Sequence, residues 1–80
     1  MTKYTIEKTT IFSKWFQKLR NEAYGRISRR LDRLEDGYFG DFKHLGGGIS
    51  ELRIDYGPGY RVYYTKRGGK LFYCLLTTKF

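Results

Sequence analysis

Two alternating runs of residues that meet at a Gly-Pro-Gly turn constrain the fold more than any other feature of this chain. The runs lie within residues 49–64, and the turn occupies residues 57–59. Because successive side chains of a β-strand point to opposite sides of the sheet, alternation predicts a strand with one apolar and one polar face. The apolar rows are Leu52, Ile54 and Tyr56 in the first run and Tyr60, Val62 and Tyr64 in the second. We therefore predict a β-hairpin whose polar rows place Arg53 and Arg61 on one surface.

The segment before the hairpin predicts one short edge strand at residues 4–7 and two helices. The first helix begins at Thr9 or Thr10, and Thr9, Thr10 or Ser13 caps it. Apolar residues recur there at intervals of three and four, which predicts one buried stripe: Phe12, Trp15, Phe16, Leu19 and Ala23. We expect a break between the helices near residues 21–26.

The second helix carries the apolar stripe Ile27, Leu31 and Leu34 and ends at Gly37. Its opposite side is rich in arginine: Arg26, Arg29, Arg30 and Arg33. One interpretation is a solvated face whose charge Asp32 and Glu35 partly offset. The other is a ridge that faces phosphates or a partner.

Extended segments follow the helices. Residues 41–45 predict a short strand. The three glycines at 46–48 predict a tight turn or bulge, and residues 67–70 predict a further hairpin turn. Residues 71–76 are apolar on both faces, which is typical of a strand in the interior of a sheet. The order predicts an α+β fold in which two N-terminal helices pack on one face of a small, mainly antiparallel twisted sheet.

Composition narrows the partners and the compartment. The 80 residues predict a single domain, residues 1–80, and the net charge of +8 favours an anionic partner. Cys74 is the only cysteine, so the sequence excludes an intrachain disulfide and a cysteine-based zinc site. We see no apolar run long enough to span a bilayer and no signal peptide. We expect a cytoplasmic protein with no membrane partner.

Cations and tyrosines are the side chains left to carry chemistry. His44 is the only histidine and the carboxylates are scattered, so we expect no metal and no cofactor. A surface that holds Arg53, Arg61, Tyr63, Lys43 and His44 could bind a phosphodiester, stack a base and cleave RNA without metal. The structural alternatives are that the two arginines pair with Glu51 and Asp55 across the sheet, that Tyr63 packs, and that His44 is structural.

Two segments resemble a known family. They are residues 40–45, Gly-Asp-Phe-Lys-His-Leu, and residues 48–64, Gly-Ile-Ser-Glu-Leu-Arg-Ile-Asp-Tyr-Gly-Pro-Gly-Tyr-Arg-Val-Tyr-Tyr. They resemble the HigB-like, phage-derived "addiction module killer" branch of the RelE/ParE toxin superfamily. The helix residues that match the same branch are Trp15, Leu19, Arg26, Ile27, Arg33, Leu34, Glu35 and Gly37.

The resemblance implies a RelE-like fold and the toxin of a type II toxin-antitoxin system. Most RelE-like and HigB-like members are mRNA interferases, endoribonucleases that cut messenger RNA on the ribosome, and a cognate antitoxin neutralises them. Here we expect that antitoxin to be a small helix-turn-helix protein. ParE-like members inhibit DNA gyrase instead, which is the alternative function.

The resemblance also implies site residues. Arg61 matches the arginine that stabilises the scissile phosphate, and Arg53 and Lys43 match basic positions. Lys79 stands in for a lysine of the family's C-terminal segment. The implied catalytic set is Arg61, Arg53 and Lys79, and the implied RNA-binding set is Lys43, His44, Tyr63 and Lys66.

The sequence departs from the family pattern after the last predicted strand. Residues 75–80 read Leu-Leu-Thr-Thr-Lys-Phe, without the Gly-Gly-Asp-Lys-like segment and the C-terminal helix of other members. We therefore expect that helix to be absent here. A shortened, inactive toxin that still binds the antitoxin is the third alternative.

Overall fold

Two helices lie against a five-stranded sheet in the computed structural model, which describes residues 4–78. The elements in chain order are β1 (Thr5–Lys8), α1 (Thr10–Gln17), α2 (Asn21–Glu35), β2 (Phe42–Gly46), β3 (Ile49–Ile54), β4 (Tyr60–Arg67) and β5 (Lys70–Thr78). The α+β class, the two N-terminal helices and the mainly antiparallel sheet are confirmed.

The strands lie in the order β1-β5-β4-β3-β2. β1 pairs in parallel with β5, and every other neighbouring pair is antiparallel. The hairpin of β3 and β4 therefore occupies the middle of the sheet next to β5. The predicted edge position of β1 and the predicted interior position of β5 are both confirmed.

The break between the helices lies earlier than the sequence predicts. α1 ends at Gln17, where the backbone N–H of Lys18 donates to the carbonyl of Trp15 at 3.1 Å and so tightens the last turn. Arg20 has extended backbone and is the N-cap of α2, which runs from Asn21 through Gly25 without interruption. A glycine inside an exposed helix costs only about 1 kcal/mol relative to alanine, so it weakens the helix without ending it. The break occupies residues 18–20, directly before the region near residues 21–26 where the sequence predicts it.

The early end of α1 also changes the buried stripe. Phe12 is fully buried, whereas Trp15 is 43% exposed, so its predicted place on the buried face is wrong. Ala23 is buried, but it belongs to α2. The cap is Thr9, whose hydroxyl accepts a hydrogen bond from the N–H of Phe12 and donates one to the carbonyl of Cys74. This second bond ties the start of α1 to the middle of β5.

The core fills the space between the helices and one face of the sheet. The α2 stripe and Phe12 pack on apolar side chains of three strands: Leu52 and Ile54 of β3, Val62 and Tyr64 of β4, and Leu71, Tyr73 and Leu76 of β5. The buried hydroxyl of Tyr73 donates to Glu35 at 3.0 Å, and burial together with that carboxylate raises the pKa of the phenol. The opposite face of the sheet carries no helix among the described residues.

The glycine run forms the tight turn between β2 and β3. Gly46, Gly47 and Gly48 all have positive φ, and the β2–β3 register shifts between His44 and Gly46, as the sequence predicts. Neither of the helices found in residues 4–78 is long and apolar enough to cross a membrane.

Candidate functional site

The helix-free face of the sheet carries two rows of polar side chains. Residues that are directly opposite in neighbouring strands point to the same side of a sheet. One row pairs Lys43 of β2 with Glu51 of β3, and Glu51 with Tyr63 of β4. The next row pairs Arg53 of β3 with Arg61 of β4. The prediction that these two arginines share a surface is confirmed.

A buried carboxylate joins the two rows. Glu51 is only 2% exposed, and its two oxygens accept from Arg53 Nε at 2.7 Å and from Arg61 Nη1 at 2.9 Å. Two like charges face each other across the strands, and one anion between them removes most of their repulsion. We refer to Arg53, Glu51 and Arg61 as the arginine clamp.

The arginine clamp keeps Glu51 ionised. Burial alone raises the pKa of this carboxyl, because the charged form loses hydration. The hydrogen bond from Arg53 and the charges of Arg61 and Arg53 outweigh burial, and the net pKa lies below its usual value. With both oxygens occupied and a lowered pKa, Glu51 is suited to hold the arginines and poorly suited to accept a proton.

The guanidinium of Arg61 is only partly used by the fold. Its Nε is buried and has no hydrogen-bond partner among the described residues, while 30% of its side chain remains exposed. An unpaired buried donor costs about 1 to 3 kcal/mol and needs a reason to persist. The exposed part of the Arg61 side chain remains available to an oxygen ligand.

A pocket of about 290 Å³ opens beside these arginines at the hairpin turn. It is lined by Asp41, residues 53–55 and residues 57–61, and we call it the arginine pocket. Asp55 brings an exposed carboxylate to the lining and forms no ion pair with either arginine. The structural alternative of arginine pairing is thus confirmed for Glu51 and wrong for Asp55, which lies beyond the end of β3.

The structure separates the predicted site residues into two groups. Arg53, Arg61, Lys43 and Tyr63 share the helix-free face. His44 lies on the other face, because it follows Lys43 directly in the strand and pairs with Ser50, which in turn pairs with the buried Tyr64. The expected single surface for Lys43 and His44 is therefore wrong.

The environments of His44 and Lys66 are structural in character. His44 Nδ1 lies 2.9 Å from the Ser50 hydroxyl, and its ring meets Phe42 edge to face. Lys66 pairs with the buried Leu71, so it also lies on the helix side, and its ammonium sits over the ring of Tyr4. Neither residue reaches the face of the arginine clamp. Lys79 lies outside the described residues.

No three His, Cys, Asp or Glu side chains among residues 4–78 are placed to hold a metal ion. The groups that the helix-free face does offer are guanidinium and ammonium donors, carboxylates and a phenol. Those are the groups that bind a phosphodiester and move its protons.

Comparison with known proteins adds one relative. No family model matches the chain. An uncharacterized protein of Haemophilus influenzae (strain ATCC 51907 / DSM 11121 / KW20 / Rd) is 48% identical over 67 residues, which are 82% of this chain and 68% of that protein. The chain belongs to the same family as this Haemophilus protein. Because that relative is uncharacterized, the activity of this chain has to be inferred from its candidate site.

The sequence places Arg30 in a basic ridge of α2 but does not reveal its contact with the sheet. Arg30 reaches from α2 to the edge of the sheet, where its Nη1 donates to the carbonyl of Arg53 at 2.8 Å and its Nη2 donates to that of Asp41 at 3.3 Å. Both acceptors are backbone atoms, which no side-chain pattern reveals. The one sequence feature that relates to this contact is the glycine at position 40. A Cβ at Gly40 would lie 3.0 Å from Arg30 Nη2, so a larger residue there would crowd the guanidinium.

Replacing Gly40 tests this bridge. We expect Gly40→Ala to lower the free energy of unfolding by about 2 kcal/mol, because it strains a positive φ and displaces the Arg30 guanidinium. Gly47→Ala is the matched control, since Gly47 has nearly the same φ and no neighbour within 4 Å; its cost should be about 1 kcal/mol. Urea denaturation measures both, and equal losses would show that the Arg30 contact adds nothing.

Proposed function

We propose that this chain is a toxin of a type II toxin-antitoxin system, from the HigB-like branch of the RelE/ParE superfamily. Its activity is metal-free cleavage of messenger RNA on the ribosome in the cytoplasm, which stops translation until an antitoxin, a small helix-turn-helix protein, binds it. The observation that carries the proposal is the arginine clamp: two facing guanidinium groups, held by one buried carboxylate, at the wall of an open pocket.

The arginine clamp suits phosphate for electrostatic reasons. Two guanidinium groups and one carboxylate leave a net positive charge, and both arginine side chains remain partly exposed. A phosphate that becomes more negative in the transition state gains most from donors that are already fixed in place. Glu51 supplies that fixation from below, so it is a positioning residue.

The proposed reaction uses the RNA's own nucleophile. The 2′-oxygen attacks the adjacent phosphorus, the bond from phosphorus to the 5′-oxygen breaks, and the products end in a 2′,3′-cyclic phosphate and a 5′-hydroxyl. In balance, one proton passes from the 2′-oxygen to the 5′-oxygen. Asp41 and Asp55 both line the pocket without an ion pair to any described residue, and Asp55 directly follows the strand that carries Arg53. We assign Asp55 the role of accepting that proton, with solvent delivering a proton to the leaving oxygen.

The remaining candidates extend the site along the face. Tyr63 offers a half-buried ring for a base, and Lys43 offers an exposed ammonium for a neighbouring phosphate. His44 and Lys66 take no part in this proposal, because they lie on the other face. Lys79 keeps the catalytic role that the family resemblance implies, as a proposal from sequence alone.

A translation reaction with one defined message tests the proposal. Primer extension should reveal cuts within codons when the full chain is added, and no cuts when translation is blocked before elongation. Purified DNA gyrase is assayed in parallel, because a ParE-like protein would abolish supercoiling and leave the message intact. An intact message in the translating reaction would refute the endonuclease.

A further inference from the structure

A second basic pocket lies on the other side of the hairpin end. Its volume is about 280 Å³, and it is lined by Arg26, Arg29, Arg30, Ile54, Asp55 and Tyr56. We call it the helix pocket. It shares Ile54 and Asp55 with the arginine pocket, so the two pockets adjoin across the end of β3.

The three arginines of the helix pocket are held in different ways. Arg30 is fixed by its hydrogen bonds to the backbone carbonyls of Arg53 and Asp41. The Arg26 guanidinium lies 4.5 Å from the centre of the Tyr56 ring, and the Tyr56 hydroxyl donates to Glu22 at 3.0 Å. Arg29 is exposed and has no ion pair with any described residue. The pocket thus combines two guanidinium groups in set positions with one that is free to close on a ligand.

The acidic residues of α2 form no direct ion pair with the arginines of this pocket. Glu35 accepts from Tyr73 and Glu22 accepts from Tyr56, and no carboxylate among residues 4–78 forms an ion pair with Arg26, Arg29 or Arg30. Any offset of the ridge's charge by Asp32 and Glu35 therefore acts through space and not through direct ion pairs. The charge is concentrated where α2 meets the hairpin, and Asp55 is the acid in the lining.

We propose that the helix pocket binds a second phosphate of the same RNA strand, next to the one that the arginine pocket holds. This inference rests on the proposed function, since it extends that site along the substrate. Guanidinium forks match phosphate oxygens, and two adjoining basic pockets follow the repeating charge of a nucleic-acid backbone. Asp55 repels a phosphate placed midway, so it keeps the two bound phosphates on either side of it.

The salt dependence of RNA binding tests this proposal without requiring cleavage. The probe is a fluorescein-labelled single strand with 2′-O-methyl sugars, which lacks the attacking hydroxyl, and anisotropy gives its affinity for the full chain over a series of salt concentrations. Each lost phosphate contact lowers the slope of log affinity against log salt by about 0.7 for single strands. The helix pocket holds one phosphate, so we expect the double variant Arg26→Gln, Arg29→Gln to lower the slope by about 0.7 and to weaken binding by roughly tenfold at low salt.

The matched control removes the same charge elsewhere. Lys8 and Lys14 are exposed and line neither pocket, so Lys8→Gln with Lys14→Gln should leave the slope near the wild-type value. Equal slopes for wild type and the Arg26, Arg29 variant would overturn the proposal, as would equal losses in the two double variants. It would also fail if polyglutamate of matching charge bound wild type as tightly, because the pocket would then serve an acidic protein segment.

This design separates the two proposals. If the Arg26, Arg29 variant lowers the slope of log affinity against log salt but wild type cuts no message, the second phosphate site is supported and the proposed endonuclease activity is refuted. If wild type cuts the message and the slope does not change, the endonuclease stands and the second phosphate site fails. Circular dichroism of each variant confirms that the fold is retained.

Discussion

Replacing Arg61 with alanine is expected to lower the rate of message cleavage by roughly 100- to 1000-fold, the usual loss when one fixed donor to a transition-state oxyanion is removed. Arg61 lies opposite Arg53, its side chain reaches the arginine pocket, and its Nε has no partner among the described residues. Its removal leaves Glu51 paired with Arg53, so the carboxylate is not stranded. Single-turnover cleavage on saturating ribosomes measures the effect.

Arg67→Ala is the control for this loss. Arg67 belongs to the same strand and is exposed, and it lies six residues further along, roughly 20 Å away at the rise of a strand. The Arg67→Ala variant should cleave the message at the wild-type rate, although it has lost one positive charge, as Arg61→Ala has. If both variants lost activity equally, the effect would be one of net charge, and the assigned role of Arg61 would be wrong.

Replacing Glu51 with glutamine should lower the stability of the fold about as much as Gly40→Ala does. The amide offers one acceptor and one donor in place of two acceptors, so one guanidinium would face an N–H group. Removal of a buried charge partner costs about 3 to 5 kcal/mol when both partners are buried. The partner arginines are 39% and 30% exposed, so we expect a loss of about 2 kcal/mol, or roughly 8 to 16 °C in Tm.

The control for Glu51 is the exposed ion pair between Glu7 and Lys70. Its two side chains are 55% and 41% exposed, and Glu7→Gln should cost about 0.5 kcal/mol or less. Thermal and urea denaturation of the two variants gives the comparison. Similar losses in both would mean that burial adds nothing to the arginine clamp.

The contribution of Glu51 should also depend on pH. Its folded-state pKa lies below the ordinary value of 4.5, so the folded chain binds fewer protons than the unfolded chain near that pH. The stability from Glu51 is therefore complete above pH 4.5 and is lost as the pH falls through the lower folded-state pKa. The difference between wild type and Glu51→Gln should shrink over that acidic range. A difference that stayed constant would contradict the lowered pKa.

The hairpin could be predicted from sequence because a strand has a fixed period of two. Once residues 49–64 are read as two strands around a turn, alternation alone places Arg53 and Arg61 on one face, and the register adds that they are direct partners. The same rule separates Lys43 from His44, because consecutive residues of a strand point to opposite faces. The expectation that both share one surface therefore contradicted the alternation of the strand itself.

Other features depend on contacts that the sequence does not encode locally. The end of α1 at Gln17 follows from a tightened last turn, while the apolar spacing continues into α2 and hides the break. The burial of Glu51 follows from two arginines that cover it from different strands. The bridge by Arg30 uses carbonyl groups, which every residue carries, so only the folded chain reveals it.

A message with a single 2′-deoxynucleotide at a mapped cut site tests the central claim most directly. The proposed chemistry requires the 2′-oxygen as the nucleophile, so cleavage should vanish at that phosphodiester and persist at other mapped sites, and the remaining fragments should carry 2′,3′-cyclic phosphate and 5′-hydroxyl ends. An undiminished cut at the deoxy position, or a message that stays intact at every position, would contradict the account.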